Sequence, residues 1–186
     1  MINDILDLSK LEAGRREAHC EVFDVYTSVE RVIASMQPSA GAKKLSLHFE
    51  VAPELREIVT DRRRVEQILL NLISNAWKFT ERGGVALTVE ATTDVSTSTP
   101  ALHGAVIRFT VTDTGRGLRP EDVRHLFKPF RQINTGRSRQ KEGTGLGLVV
   151  CQRLAAFLGG GVTVASRWTE GSAFTSTNPL VNAIEG

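Results

Sequence analysis

The stretch Lys141–Gly160, KEGTGLGLVVCQRLAAFLGG, decides how the rest of the chain is read. Three glycines at alternate positions, Gly143, Gly145 and Gly147, run directly into an apolar segment with helical spacing. Glycine costs backbone entropy and weakens regular structure. Three of them ahead of a helix mean either a flexible turn or a backbone that must approach another group closely. In the second case the helix N-terminal N–H groups face an anion. The second reading is the sharper one.

Around this segment lies a chain of 186 residues, enough for one domain or a domain with an appendage. Its 41% apolar content supports an ordinary core. A net charge of +2, with Arg and Lys spread along the sequence, does not indicate a nucleic-acid partner. Cys20 and Cys151 have no metal-ligand spacing and read as free thiols in a reducing compartment. No apolar run approaches the roughly 20 residues needed to span a bilayer, and no signal peptide opens the chain. The opening residues 2–13, INDILDLSKLEA, carry Ile2, Ile5, Leu8 and Leu11 at every third place and read as an amphipathic helix stopped by Gly14. That helix looks entered halfway, as in an excised fragment.

Further along, CEVFDV reads as a short strand and residues 26–36 as a helix ending before Pro38. LSLHFEV alternates as a strand, EIVTD forms a second, and Asp61 caps a helix running to Phe79. GGVALTVEATT and GAVIRFTVTDT are strands around a Ser/Thr-rich connector at 94–104. Pro120, Glu121 and Asp122 open a short helix. Residues 127–142 form a long basic loop, 145–157 a helix, and GVTVAS and GSAFTST the closing strands. The fold expected is α+β: a two-layer sandwich, with a mixed β-sheet carrying helices on one face.

At about 100° per residue, Val65, Leu69, Leu72, Ile73 and Ala76 share the sheet-facing side of the 62–79 helix. Asn71, Asn75 and Lys78 form a separate stripe beside it. On an arbitrary helix such a stripe is a solvated edge. Two asparagines are nevertheless poor helix formers in an exposed interior. An amide offers a carbonyl oxygen to a hard cation and N–H donors to a phosphate oxygen, and Lys78 adds positive charge. VTDTGRGL (111–118) places a carboxylate at a strand end before Gly115 and Gly117. It is either a plain turn or an acceptor for an exocyclic amino group, with glycines letting the chain pass a planar base.

NLISNAWKFT (71–80), DTGRGL (113–118), LFKPF (126–130) and GTGLGL (143–148), in that order, resemble the N, G1, F and G2 boxes of sensor histidine kinases. The match to the family's catalytic ATP-binding domain spans about residues 21–177. The opening INDILDLSKLEAG resembles the end of the second dimerisation helix. The resemblance divides the chain into 1–18, the end of that helix plus a linker, and 19–186, the catalytic domain. It implies the GHKL, or Bergerat, ATP-binding fold, an α/β sandwich with the nucleotide under a mobile lid.

Carried over by position, Asn75 holds Mg²⁺, and Asn71 contacts phosphate or a metal-bound water. Lys78 reaches the phosphates, and Phe79 borders the base or ribose. Asp113 binds the adenine amino group, with Gly115, Gly117 and Leu118 shaping that end. Phe127 and Phe130 anchor the lid, roughly residues 131–142. Gly143, Gly145 and Gly147 bring the backbone to the phosphates, while Thr144, Leu146 and Leu148 close the site. The cofactors implied are ATP and Mg²⁺.

The partners implied are the dimerisation, phospho-acceptor domain of the same kinase and, indirectly, a response-regulator receiver domain. The parent kinase is expected to be a homodimer and the fragment a monomer. Its expected place is the cytoplasm, with the parent open to anchorage in the inner membrane.

Three departures from the family pattern stand out. Gln132 replaces an arginine that touches the terminal phosphate in many members, leaving Arg131, Arg137 or Arg139 as substitutes. Trp77 takes the place of a small aliphatic residue and is read as packing at the margin of the core. The polar Asn178 before Pro179 leaves the end of the last strand open.

The activity expected is protein-histidine kinase, positioning the γ-phosphate for in-line attack by an imidazole. The alternatives are a nucleotide-binding pseudokinase and a GHKL-type ATPase. Against the ATPase, those hydrolases carry a glutamate as general base where this chain has Asn71, and an amide takes no proton from water. The family's acceptor histidine is commonly followed by Glu and, a turn later, Pro. His19, His48, His103 and His125 all lack that context. The acceptor is therefore expected on another segment.

Overall fold

A computed structural model describes residues 17–40, 44–93, 105–129 and 145–180, without the side chains of residues 37–40. The opening helix, the 94–104 connector and the lid therefore lie outside the described residues. Strand β1 (Glu21–Asp24) leads into helix α1 (Val25–Ala40), and β2 (Ser46–Val51) and β3 (Glu57–Thr60) follow. Helix α2 (Arg62–Phe79) precedes β4 (Gly84–Thr92) and β5 (Val106–Asp113). A short α3 (Pro120–Val123), α4 (Gly147–Phe157), β6 (Gly161–Arg167) and β7 (Gly171–Pro179) complete the order.

Local chemistry accounts for most of the boundaries. Asp24 Oδ1 accepts from Thr27 N at 2.6 Å, so α1 begins directly after β1. Asp61 caps α2, its Oδ1 accepting from Arg64 N at 3.2 Å, while Oδ2 accepts from His19 N at 3.1 Å. At the other end of α2, the buried Thr80 donates from Oγ1 to Ala76 O at 2.7 Å. Pro120 opens α3 at a position where its missing N–H costs nothing.

Three boundaries differ from the sequence reading. Helix α1 runs past Pro38 to Ala40 rather than stopping at Met36, although the proline removes one backbone hydrogen bond. Helix α4 starts at Gly147, because Gly145 takes a left-handed φ of 69° that no helix accommodates. Strand β7 runs through Asn178 to Pro179, since pairing with β5 carries it that far, Asn178 opposite Ile107 and Pro179 opposite Val106.

Strands β1 and β3 form a small antiparallel pair. The main sheet is ordered β2-β4-β5-β7-β6, with β2 and β4 parallel and the other neighbours antiparallel. A parallel pair needs a crossover. Helix α2 lies on the crossover between β2 and β4, and so its last turns end near the tip of β5. Helices α2 and α4 pack on each other and on the sheet, which makes the two-layer α+β sandwich that was expected.

Strand alternation builds the core. Val85, Leu87 and Val89 of β4 and Phe109 and Val111 of β5 face the helices, buried beneath Leu69, Leu72, Ile73 and Ala76. Each fully buried side chain of this kind stabilises the fold by about 1.5–3 kcal/mol. Trp77 is only 6% exposed and belongs to this core, not to its margin as the wheel suggested. The same alternation on β5 places Asp113, two residues beyond Val111, on the helix-facing side at the strand's end. No helix among the described residues is long and apolar enough to cross a membrane.

Candidate functional site

The end of β5, the last turns of α2 and the start of α4 converge on one side of the sandwich. Asp113 is 6% exposed, and its Oδ1 accepts from Gly115 N at 2.8 Å. Burial pushes its carboxyl above the usual carboxylate range, against the pull of backbone N–H groups from Gly115 and Ser172. A carboxylate held in a desolvated place, whose oxygens can each accept more than one hydrogen bond, suits a neutral donor such as an amino group.

The loop after Asp113 is folded as tightly as the glycine spacing suggested. A Cβ on Gly115 would lie 2.7 Å from Asp113 Oδ1 and 2.8 Å from Phe79 O. Only hydrogen fits there. Gly117 has φ of 66°, and a Cβ on it would overlap the Arg167 carbonyl. The turn between β6 and β7 holds this loop from the far side. Thr169 N donates to Arg116 O at 2.6 Å, and Leu118 N donates to Ser166 Oγ at 2.8 Å.

On α2, Asn71, Asn75 and Lys78 are half-buried along one edge. A Cβ on Gly147 would sit 3.6 Å from Asn75 Nδ2, so the Asn75 amide lies against the first residue of α4. The residue before it, Leu146, has no side-chain oxygen to cap that helix, and the first-turn N–H groups of a helix suit an anionic acceptor. Lys78 Nζ lies 5.3 Å from the centroid of the Phe79 ring, which is 38% exposed. Asn71 shares a side-chain hydrogen bond with the buried Cys151 of α4. Burial pushes the Cys151 thiol up to about 12, and Sγ contacts Ile68 O at 3.7 Å.

Most of the expected residues are thus brought together. Asp113, Gly115, Gly117 and Leu118 form one end, with Lys78 and Phe79 beside them. Asn75, Gly145, Leu146, Gly147 and Leu148 form the other. Phe127, Leu118 and Leu148 are partly buried against the core. Phe130, Gly143, Thr144, Gln132 and the candidate lid arginines lie outside the described residues.

Three residues that stand around the site were given no role in it by the sequence. Ser172 reaches Asp113 only because β7 pairs with β5, Ser172 opposite Asp113. Cys151 was read as an unattached thiol. Arg116 was given no role. The single signal available was the glycine on either side of Arg116, which marks a backbone pinned in place.

The residues present fit a nucleotide. Gly115 lets the loop pass directly against Phe79 O, where a Cβ would clash, and Asp113 offers a buried acceptor beside it. Among the described residues no group of three or more His, Cys, Asp or Glu could hold a metal. An amide oxygen plus phosphates is a donor set that Mg²⁺ accepts, since it usually keeps few protein ligands.

Residues 60–182 match the family described as histidine kinase-, DNA gyrase B-, and HSP90-like ATPase. The chain belongs to this ATPase family. Within it, the similarity is to sensor histidine kinases. The chain is 39% identical over 180 residues to hybrid signal transduction histidine kinase B of Dictyostelium discoideum, covering 96% of this chain and 9% of that protein. Histidine protein kinase DivJ of Caulobacter vibrioides is 36% identical over 185 residues, with 98% and 29% covered.

Among solved structures, full-length ShkA in complex with AMPPNP superposes with a TM-score of 0.81 at 33% identity, covering 98% of this chain and 35% of that one. The histidine kinase AdeS of Acinetobacter baumannii gives 0.74 at 27% identity, covering 97% and 77%. The chain spans about a tenth to a third of the length of the first curated relatives it matches. The family's ATP-binding domain is therefore present here with its Bergerat sandwich.

Proposed function

We propose that this chain binds Mg-ATP and presents the γ-phosphate to a histidine on the dimerisation domain of the same kinase. Residues 19–186 are then the catalytic unit, and 1–18 the end of the second dimerisation helix with its linker. The observation that carries the reading is Asp113, a buried carboxylate at a strand end that accepts from Gly115 N, with the Gly115 backbone packed tightly against Phe79 beside it.

In this reading the Asp113 carboxylate accepts a hydrogen bond from the adenine amino group, and Phe79 borders the base or ribose. Lys78 and the first-turn N–H groups of α4 meet the phosphate oxygens. Asn75 supplies an amide oxygen to Mg²⁺, and Asn71 stands one turn back on the same edge. The metal, when bound, neutralises charge on the phosphates. Leu146 and Leu148 close the site.

Asn71 favours transfer over hydrolysis, because an amide cannot take a proton from water. The reaction is placed in the cytoplasm, with the dimerisation domain as direct partner and a receiver domain further along the relay.

Incubating the chain with γ-labelled ATP leaves it unlabelled, and adding the dimerisation domain of the same kinase yields acid-labile label on that domain. Stoichiometric label on this chain alone, or release of free phosphate in step with ATP loss, overturns the reading.

A further inference from the structure

Arg116 lies between the two glycines that fold the loop after β5, and its backbone is fixed from three directions. Gly115 before it is pressed against Phe79 O, and Gly117 after it against Arg167 O. Its own carbonyl accepts from Thr169 N at 2.6 Å. This pinned backbone delivers the half-buried side chain onto Phe79, the guanidinium carbon lying 5.5 Å from the ring centroid. Phe79 is an exposed aromatic at the end of α2, beside a buried carboxylate three residues back along the Arg116 loop. A planar base held by Asp113 therefore has the Phe79 ring and the Arg116 guanidinium at its solvent side.

We propose that Arg116 is a nucleotide-binding residue, its guanidinium plane and the Phe79 ring together forming the outer wall of the compartment that takes the purine base. The proposal rests on the nucleotide reading of Asp113. Arg is suited to this place and Lys is not. A guanidinium is planar and stacks on aromatic faces and bases, whereas an ammonium is a strongly hydrated point charge. Lys78, 5.3 Å from the same ring centroid, already supplies such a charge. A second point charge adds little to base binding, but a second plane does.

The test is a calorimetric titration of the chain with ATP, ADP and adenosine, comparing Arg116→Ala and Arg116→Lys with the parent. Circular dichroism confirms that both variants fold. Arg116→Ala weakens all three ligands by about the same factor, roughly five- to tenfold. Arg116→Lys recovers less than half of that loss. Weaker ATP binding with adenosine unchanged would mean that the guanidinium serves the phosphates, and the proposal falls. It also falls if Arg116→Ala changes nothing or if Arg116→Lys restores full affinity. Failure of the nucleotide reading itself looks different: the parent chain then binds none of the three ligands.

Discussion

Replacing Asp113 with asparagine changes one charged oxygen into an amino group with almost no change of shape. In the parent, Oδ1 accepts from Gly115 N at 2.8 Å and the carboxylate remains an acceptor toward the base. In the Asp113→Asn variant one of the two acceptor oxygens becomes an N–H₂ group, and where the amide oxygen keeps the bond to Gly115 the new donor faces the adenine amino group, donor against donor. A buried mismatch of that kind costs about 1–3 kcal/mol, equivalent to roughly 5- to 150-fold in Kd.

The folded apo chain tolerates the change. Burial holds the Asp113 carboxyl above its ordinary value of 3.8, so ionising it costs stability in the fold. A group raised in this way stabilises the fold fully below its unfolded pKa, and that contribution is lost as pH rises through the folded value. At neutral pH the parent carries the cost and Asp113→Asn does not. Its Tm therefore stays within about 4 °C of the parent.

The same shift gives ATP binding a pH dependence. Affinity falls as pH drops through the raised Asp113 value, beginning above the range of an exposed aspartate, and Asp113→Asn lacks that step. Titration calorimetry across pH, paired with thermal denaturation, reads both effects. Unchanged ATP affinity in a folded Asp113→Asn variant would refute the placement of Asp113 on the base.

Two further outcomes follow from the same geometry. Gly117→Ala lowers unfolding stability by about 1–3 kcal/mol in urea denaturation, because a left-handed φ and the Arg167 carbonyl both exclude a methyl group; a loss below about 0.5 kcal/mol would show that the loop gives way. Cys20, which is exposed, reacts with a thiol reagent in the native protein, while Cys151 reacts only on unfolding, its thiol buried and raised to about 12. Fast native labelling of both would contradict the packing of α4 on α2.

Much of this molecule was legible along the chain because the deciding interactions are local. Asp61 caps α2 three residues from its partner Arg64, and the 3.6-residue spacing of Leu69, Leu72, Ile73 and Ala76 declares the face that the sheet covers. Alternation on β4 and β5 declares their inner faces in the same way. The glycines, the strand-end carboxylate and the Asn-Asn-Lys edge were visible as chemistry before any of them had a neighbour.

What the chain alone left open depends on register and on contacts between distant segments. Local polarity argued for ending β7 before Asn178, but hydrogen bonds from β5 carry the strand to Pro179. Trp77 looked marginal on a single wheel, yet the packing of the two layers encloses it. The Asp113–Ser172 pairing, the Asn71–Cys151 bond and the grip of Thr169 on Arg116 join residues far apart in sequence. Their closeness is set by sheet order and helix packing, for which no spacing rule exists. Sequence thus determined which side chains could do the chemistry, and the tertiary structure alone decided which of them stand beside one another.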